Sequence, residues 1–169
     1  MEKIIFASIG WHPTYDGTNK RAFVTGANWK GRENGDIGEL ENFKSYKGKN
    51  YIYILPNRWR INLSKFGAKS DASYLDGFTI VFVAPDRRKS SQGRKIIGWC
   101  TDARVYSTMQ KRPKPLSSDY IVEAKCSNAT LLPEADRNFI FTGRFRNIWY
   151  ADKLEDRNFV RKVLRYITP

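Results

Sequence analysis

The stretch FTIVFVAPDRRKSSQGRKIIGWCTDARVYS, residues 78–107, decides how the chain is read. Two runs rich in Ile, Val and Phe flank a polar loop ending in Gly93, which is the pattern of an antiparallel hairpin. Outward from this pair, runs of similar size recur: KIIFASIGW (3–11), RAFVTGANW (21–29), NYIYILP (50–56), DYIVEAKCS (119–127) and RNFIFTG (137–143). Clusters of Gly, Pro, Asn and Asp bound them, as turn residues do. Near the end the period changes. In DKLEDRNFVRKVLRYI, Val160, Val163, Leu164 and Ile167 fall at helical spacing, and Asp152 with Glu155 three residues on suggests an N-terminal cap. Shorter helical turns are expected in GDIGELENFKSY and NLSKFGAKS. The fold class expected from these runs is α+β: a mainly antiparallel sheet or barrel of about six or seven strands with peripheral helices.

At 169 residues the chain reads as a single domain, 1–169, long enough to bury a core without disulfides or metal. Thirty Lys and Arg against 17 Asp and Glu give a net charge of +13, a balance that favours a polyanionic partner. No secretory leader and no apolar run of membrane-spanning length is present, so a cytoplasmic, prokaryotic intracellular protein with no membrane partner is expected. Cys100 and Cys126 are isolated thiols, and the chain holds one histidine, His12. That argues against hydrolytic triads and supports neither a disulfide framework nor a zinc site. No phosphate-binding Gly-rich loop or dinucleotide fingerprint occurs.

One catalytic pattern can be spelled. Asp86 in APD and Glu123 with Lys125 in VEAK form a PD…ExK series, in which two carboxylates would hold a divalent metal and the lysine would assist attack on a phosphodiester. Its alternative is a turn aspartate and an exposed strand face, because Pro85 and Asp86 end an apolar run. The preferred reading has no catalytic residue, metal or cofactor.

Five tryptophans are many for this length. Trp11 and Trp29 each end a β-run and lead into a polar loop, HPTYDGTNK and KGRENGD. Flat aromatics so placed suit the rim of a base-stacking pocket. Trp99 follows Gly98, and a glycine within a strand marks a bend or a close approach by another backbone or a ligand. The expected base pocket is therefore Trp11, Trp29 and Trp99 with His12 and Tyr15, while Trp59 and Trp149 read as core. Phosphate contacts are expected from the basic loops: Lys20 and Arg21; Arg58 and Arg60; Arg87, Arg88 and Lys89; Lys111, Arg112 and Lys114.

The order of these pieces resembles a known family. The pair GFTIVFVAP…GRKIIGWCTDARVYS is similar to the central hairpin of EVE domains, which belong with YTH domains in the PUA-like superfamily. GELENFKSYKGKNYIYI, IIGWCTDARVY, ATLLPEADRNF and RNIWYADK, between residues 38 and 153, resemble in that order the sensor domains that precede an HNH nuclease in modification-dependent restriction endonucleases. The chain departs from the EVE pattern in having IIFASIGW where a YW pair is usual, and DGFTI where a GD is usual.

The resemblance implies a PUA-like fold, a small mixed, mostly antiparallel β-barrel of about six strands with peripheral helices, holding an aromatic pocket for one modified base flipped from double-stranded DNA. The base would be 5-methylcytosine or 5-hydroxymethylcytosine in the EVE-like branch and N6-methyladenine in the YTH-like branch. It implies a non-enzymatic specificity module, stand-alone or cut from a longer nuclease, with a fused or associated HNH domain as partner. The alternatives are the metal-dependent nuclease and a PUA-like RNA-binding module.

Overall fold

The computed structural model describes residues 2–19, 38–56, 58, 60–86, 93–144 and 146–168. The hairpin read from the sequence is its centre: β4 (Tyr74–Pro85) pairs antiparallel with β5 (Arg94–Lys111), from Pro85↔Arg94 to Tyr74↔Tyr106. Three register shifts interrupt this ladder, and such irregularities bend and twist a strand. β1 (Ile4–Ser8) lies parallel to β4, and its free edge takes the antiparallel β9 (Ile148–Trp149). On the other side of the hairpin come β6 (Asp119–Lys125), β3 (Lys49–Ile52) and β2 (Ser45–Tyr46), giving the order β2-β3-β6-β5-β4-β1-β9. Two further short strands, β7 (Ala129–Leu131) and β8 (Ile140–Phe141), pair with β5 alone.

The architecture is thus a mixed, mainly antiparallel sheet with one C-terminal helix, α1 (Arg157–Ile167). It corrects the expectation of a six-stranded barrel. Nine strands form the sheet, and among the described residues no pairing joins its two ends. The strands not expected, β2, β7 and β9, are two or three residues long, too short to leave a periodic signal. The expected strand at 21–29 lies outside the described residues. The cap of the last helix also moves: Asp152 pairs with Lys65, a 3-10 turn covers Leu154–Asp156, and Asp156 precedes α1. Helical turns of the 3-10 type do form at Gly38–Glu41 and Leu63–Phe66. No helix among the described residues is long and apolar enough to cross a membrane.

Alternation along the central strands divides the core. Ile4 and Phe6 of β1 and Val81 and Val83 of β4 pack with Val160, Val163 and Ile167 of α1. Ile5, Ala7, Ile80 and Phe82 face the opposite cluster with Ile52, Ile97 and Ile121. Burial on both faces explains why these strands read as unbroken apolar runs. Each buried Ile or Phe contributes about 2 kcal/mol. Trp149 stacks on Phe6 with centroids 4.9 Å apart, so it belongs to the helix-side core.

Gly98 fits the close approach expected of it. A Cβ there would stand 2.4 Å from the Thr130 carbonyl oxygen of β7. Gly98→Ala should therefore force β7 from β5 and destabilise by about 2 kcal/mol, seen as a lower urea midpoint at unchanged slope.

Candidate nucleic-acid interface

Of the expected pocket residues, three converge. Trp11, His12 and Tyr15 are all buried at the turn that follows β1. The Trp11 indole N–H donates to Glu134 Oε1 at 2.8 Å, and the Arg137 guanidinium lies 4.8 Å from the Trp11 ring centroid. Arg137 is itself buried, donating to the carbonyls of Leu132, His12 and Pro13 at 2.7–2.9 Å. His12 Nδ1 accepts the N–H groups of Thr14 and Tyr15 at 3.2 and 3.0 Å, so the assigned tautomer carries its proton on Nε2, which donates to Asn19 O. The Tyr15 hydroxyl donates to Gly10 O and accepts from His12 N–H. Burial pushes this hydroxyl far above the usual tyrosine range, against the pull of the Arg137 charge. With their polar atoms engaged, these side chains form a packed knot that fixes the turn.

Trp99 is elsewhere. It lies half-buried on the helix side, edge-on to Tyr166 at 6.2 Å, whereas Trp11 belongs to the opposite core cluster. The two do not share a cage, and Trp29 lies outside the described residues.

The expected phosphate contacts also divide. Arg58 and Arg60 are exposed and, with Lys69, line a groove of about 300 Å³ together with Asn62, Ser64, Ser70 and Ser107. No carboxylate is among its described lining residues. Local pairing holds the groove in place: Arg60 bridges Thr108, and Ile61 N–H donates to Ser107 O at 2.9 Å. Arg58 carries φ +54, a left-handed backbone uncommon outside glycine. Lys111 is exposed and paired with Asp119 at 2.9 Å, and Lys114 is exposed. Lys20, Arg21, Arg87, Arg88 and Lys89 lie outside the described residues.

Arg112 requires a correction: its guanidinium is buried. It donates to Tyr51 O at 2.9 Å, Ser117 O at 3.0 Å and Asn42 Oδ1 at 3.1 Å, and lies 3.4 Å from Glu41 Oε2. It is an internal strut, because the counter-charge comes from a turn remote in sequence and removes it from phosphate contact.

A row of aromatic rings that sequence reasoning missed crosses four strands, exposed at Tyr74 and buried at Tyr120. Tyr74 (β4), Tyr106 (β5), Tyr120 (β6) and Tyr51 (β3) form a continuous row with centroid separations of 6.0, 5.6 and 5.0 Å. Arg104 lies over Tyr74 at 4.1 Å and holds Asp76 by two bonds of 2.7 and 3.0 Å, which keep that carboxyl below its usual range. Glu123 takes Lys49 and accepts from the Tyr106 hydroxyl at 3.4 Å. Burial, then the bond with Tyr106, raises the Tyr120 hydroxyl. Alternation of Arg104 and Tyr106 was the available signal; the register that gathers the other tyrosines was not visible in sequence.

The nuclease series does not assemble. Asp86 pairs with Lys95 at 3.0 Å beside the hairpin loop, while Glu123 stands opposite Arg104. Ten residues of β5 separate Arg94 from Arg104, roughly 33 Å of extended strand. Among the described residues no three His, Cys, Asp or Glu are grouped to hold a metal ion.

Comparison with family models, with curated proteins and with solved structures finds no match.

The Arg112 strut makes a stability prediction. Burial pushes the Glu41 carboxyl up, but the Ser117 N–H and hydroxyl and the Lys44 ammonium outweigh it, and the net shift is downward. A depressed carboxyl stabilises the fold above its unfolded pKa and loses that contribution as pH falls through the folded one. Glu41→Gln should cost about 3 kcal/mol at neutral pH by leaving Arg112 buried without its counter-ion. It should also flatten the loss of stability below about pH 4, measured by urea unfolding across that range.

Proposed function

We propose that this chain is a non-catalytic nucleic-acid-binding domain that reads a modified base in duplex DNA, as the specificity module of a modification-dependent restriction endonuclease. The observation that carries the nucleic-acid step is the groove of Arg58, Arg60 and Lys69, with polar side chains and no carboxylate among its described lining residues, on a chain of net charge +13. Cations so gathered release counterions from phosphates and position a strand without specifying its sequence.

The step to a modified base rests on the EVE-like and YTH-like stretches. So does the proposed membership of the PUA-like superfamily, from whose barrel the open sheet departs. Under this proposal 5-methylcytosine or 5-hydroxymethylcytosine is the favoured base and N6-methyladenine the second, and the domain works in the cytoplasm beside a fused or associated HNH nuclease. A methyl group adds about 1 kcal/mol by burial. Strong discrimination therefore needs a steric or polar element as well.

A second reading has its own observation. Tyr74, exposed beneath Arg104, and the half-buried Tyr106 offer aromatic surface of the kind that holds unpaired bases, which fits a single-stranded RNA partner.

The test is fluorescence anisotropy with matched duplexes carrying cytosine, 5-methylcytosine, 5-hydroxymethylcytosine, adenine or N6-methyladenine, and with single-stranded RNA, each repeated on a gel with magnesium. A preference of about tenfold for one modified duplex, without cleavage, is expected. Equal binding to all duplexes sinks the modified-base reading, tighter binding of RNA selects the second one, and magnesium-dependent cutting restores the nuclease. The double variant Arg58→Glu, Arg60→Glu should weaken all duplexes alike and reduce the slope of log affinity against log salt by about 2.

A further inference from the structure

The face of α1 carrying Arg157, Val160 and Arg161 combines with the start of β1 and residues 150–153 to border a cavity of about 530 Å³. That volume lies within the range of small-molecule sites. Its floor is apolar: Ile4 and Val160 are buried, Phe66 and Ala151 half-buried. At one wall the rings of Phe66 and Tyr150 meet at 72° with centroids 5.7 Å apart. Both are braced from behind. Phe66 stands edge-on to Phe78 at 4.8 Å, and the Tyr150 hydroxyl accepts the Asn62 N–H at 3.2 Å.

The rim is charged. Lys153, Arg157 and Arg161 are exposed, with Arg157 and Arg161 one helical turn apart. Two carboxylates, Glu2 and Asp152, also line the cavity. Asp152 is already matched by Lys65, whose hydrogen bond holds the carboxyl below its ordinary value.

We infer that this cavity binds a flat heterocycle carrying a phosphate, that is, a nucleotide unit. A wholly apolar ligand would leave the rim cations unused, and an inorganic anion would leave the aromatic wall and floor in water. A ring against Phe66 and Tyr150 with its phosphate among Lys153, Arg157 and Arg161 satisfies both. The nucleotide is either free or borne on a strand. The second source rests on the nucleic-acid function proposed above; the first does not. The turn Leu63–Phe66 links the two sites, since Leu63 and Ser64 line the basic groove and Phe66 lines the cavity.

Calorimetric titration with deoxycytidine and deoxyadenosine monophosphate, the corresponding nucleosides, inorganic phosphate and decanoate tests this. At least one monophosphate should bind saturably, about tenfold more tightly than its nucleoside or phosphate alone. Arg157→Glu with Arg161→Glu, both exposed, should weaken it by about tenfold, and Phe66→Leu should weaken it while circular dichroism shows the fold retained. Absence of saturable binding, binding unmoved by the double variant, or tighter binding of decanoate overturns the inference.

A duplex with one unpaired nucleotide then separates the sources. Displacement of the bound monophosphate identifies the strand-borne nucleotide, and simultaneous binding of both identifies the free one. If no duplex or RNA binds while the monophosphate does, the nucleic-acid function fails and the cavity assignment stands. If duplexes bind and no monophosphate does, the cavity assignment fails alone.

Discussion

The hydrogen-bond ladder of β5 engages both of its edges along most of its length. β4 occupies one edge, while β8, β7 and β6 take the other in turn, at Arg94–Lys95, Gly98–Cys100 and Arg104–Lys111. One strand therefore sets the position of five of the nine, counting itself, and its irregularities decide where the sheet turns. Between Val105 and Gln110 the β6 ladder is interrupted. Near that interruption Ser107 accepts Ile61 N–H and Thr108 bridges Arg60, so the basic groove is built where β5 leaves its neighbour.

Net charge overstates what a partner meets. Lys95, Arg112 and Arg137 are buried, each with internal acceptors. Desolvating a cation is costly, and these are held by carbonyls, amides and carboxylates that replace water. Their work is positional: Arg137 ties the turn after β1 to residue 132, and Arg112 ties the Glu41 turn to the strand end at Tyr51 and to Ser117. The surface cations that remain are the ones that shape a field outside the molecule.

The sequence made the hairpin and the helix legible because their patterns are long: β4 carries the apolar stretch 78–84, β5 opens on 96–100 and then alternates, and Val160, Val163 and Ile167 keep one face. It did not reveal β7 or β9, whose pairing depends on neighbours rather than on propensity. For the site, Arg58 and Arg60 were legible as a basic pair, while Arg112, in the same kind of segment, was not separable from them, since Glu41 and Asn42 reach it only through the fold. The tryptophans misled by parity and by packing. Trp99 points to the helix side and Trp11 to the other cluster, and residue type alone carries no sign of the face. The rings that do assemble are tyrosines from four strands, with Phe66 and Tyr150 forming another pair at the cavity.

The parallel placement of β1 between β4 and β9 has a kinetic side. β1 precedes every other described strand in the chain, yet Ile4 finds its partner at Thr79 and Phe6 finds another at Trp149. Such pairings close very long loops before any hydrogen bond is gained, the condition that slows folding most. Until residue 149 has emerged from the ribosome, an apolar segment, IIFAS, waits with at least one open edge. The first of the described strands to be made is thus the last of them whose ladder is complete, and the hazard of misassociation is greatest at IIFAS.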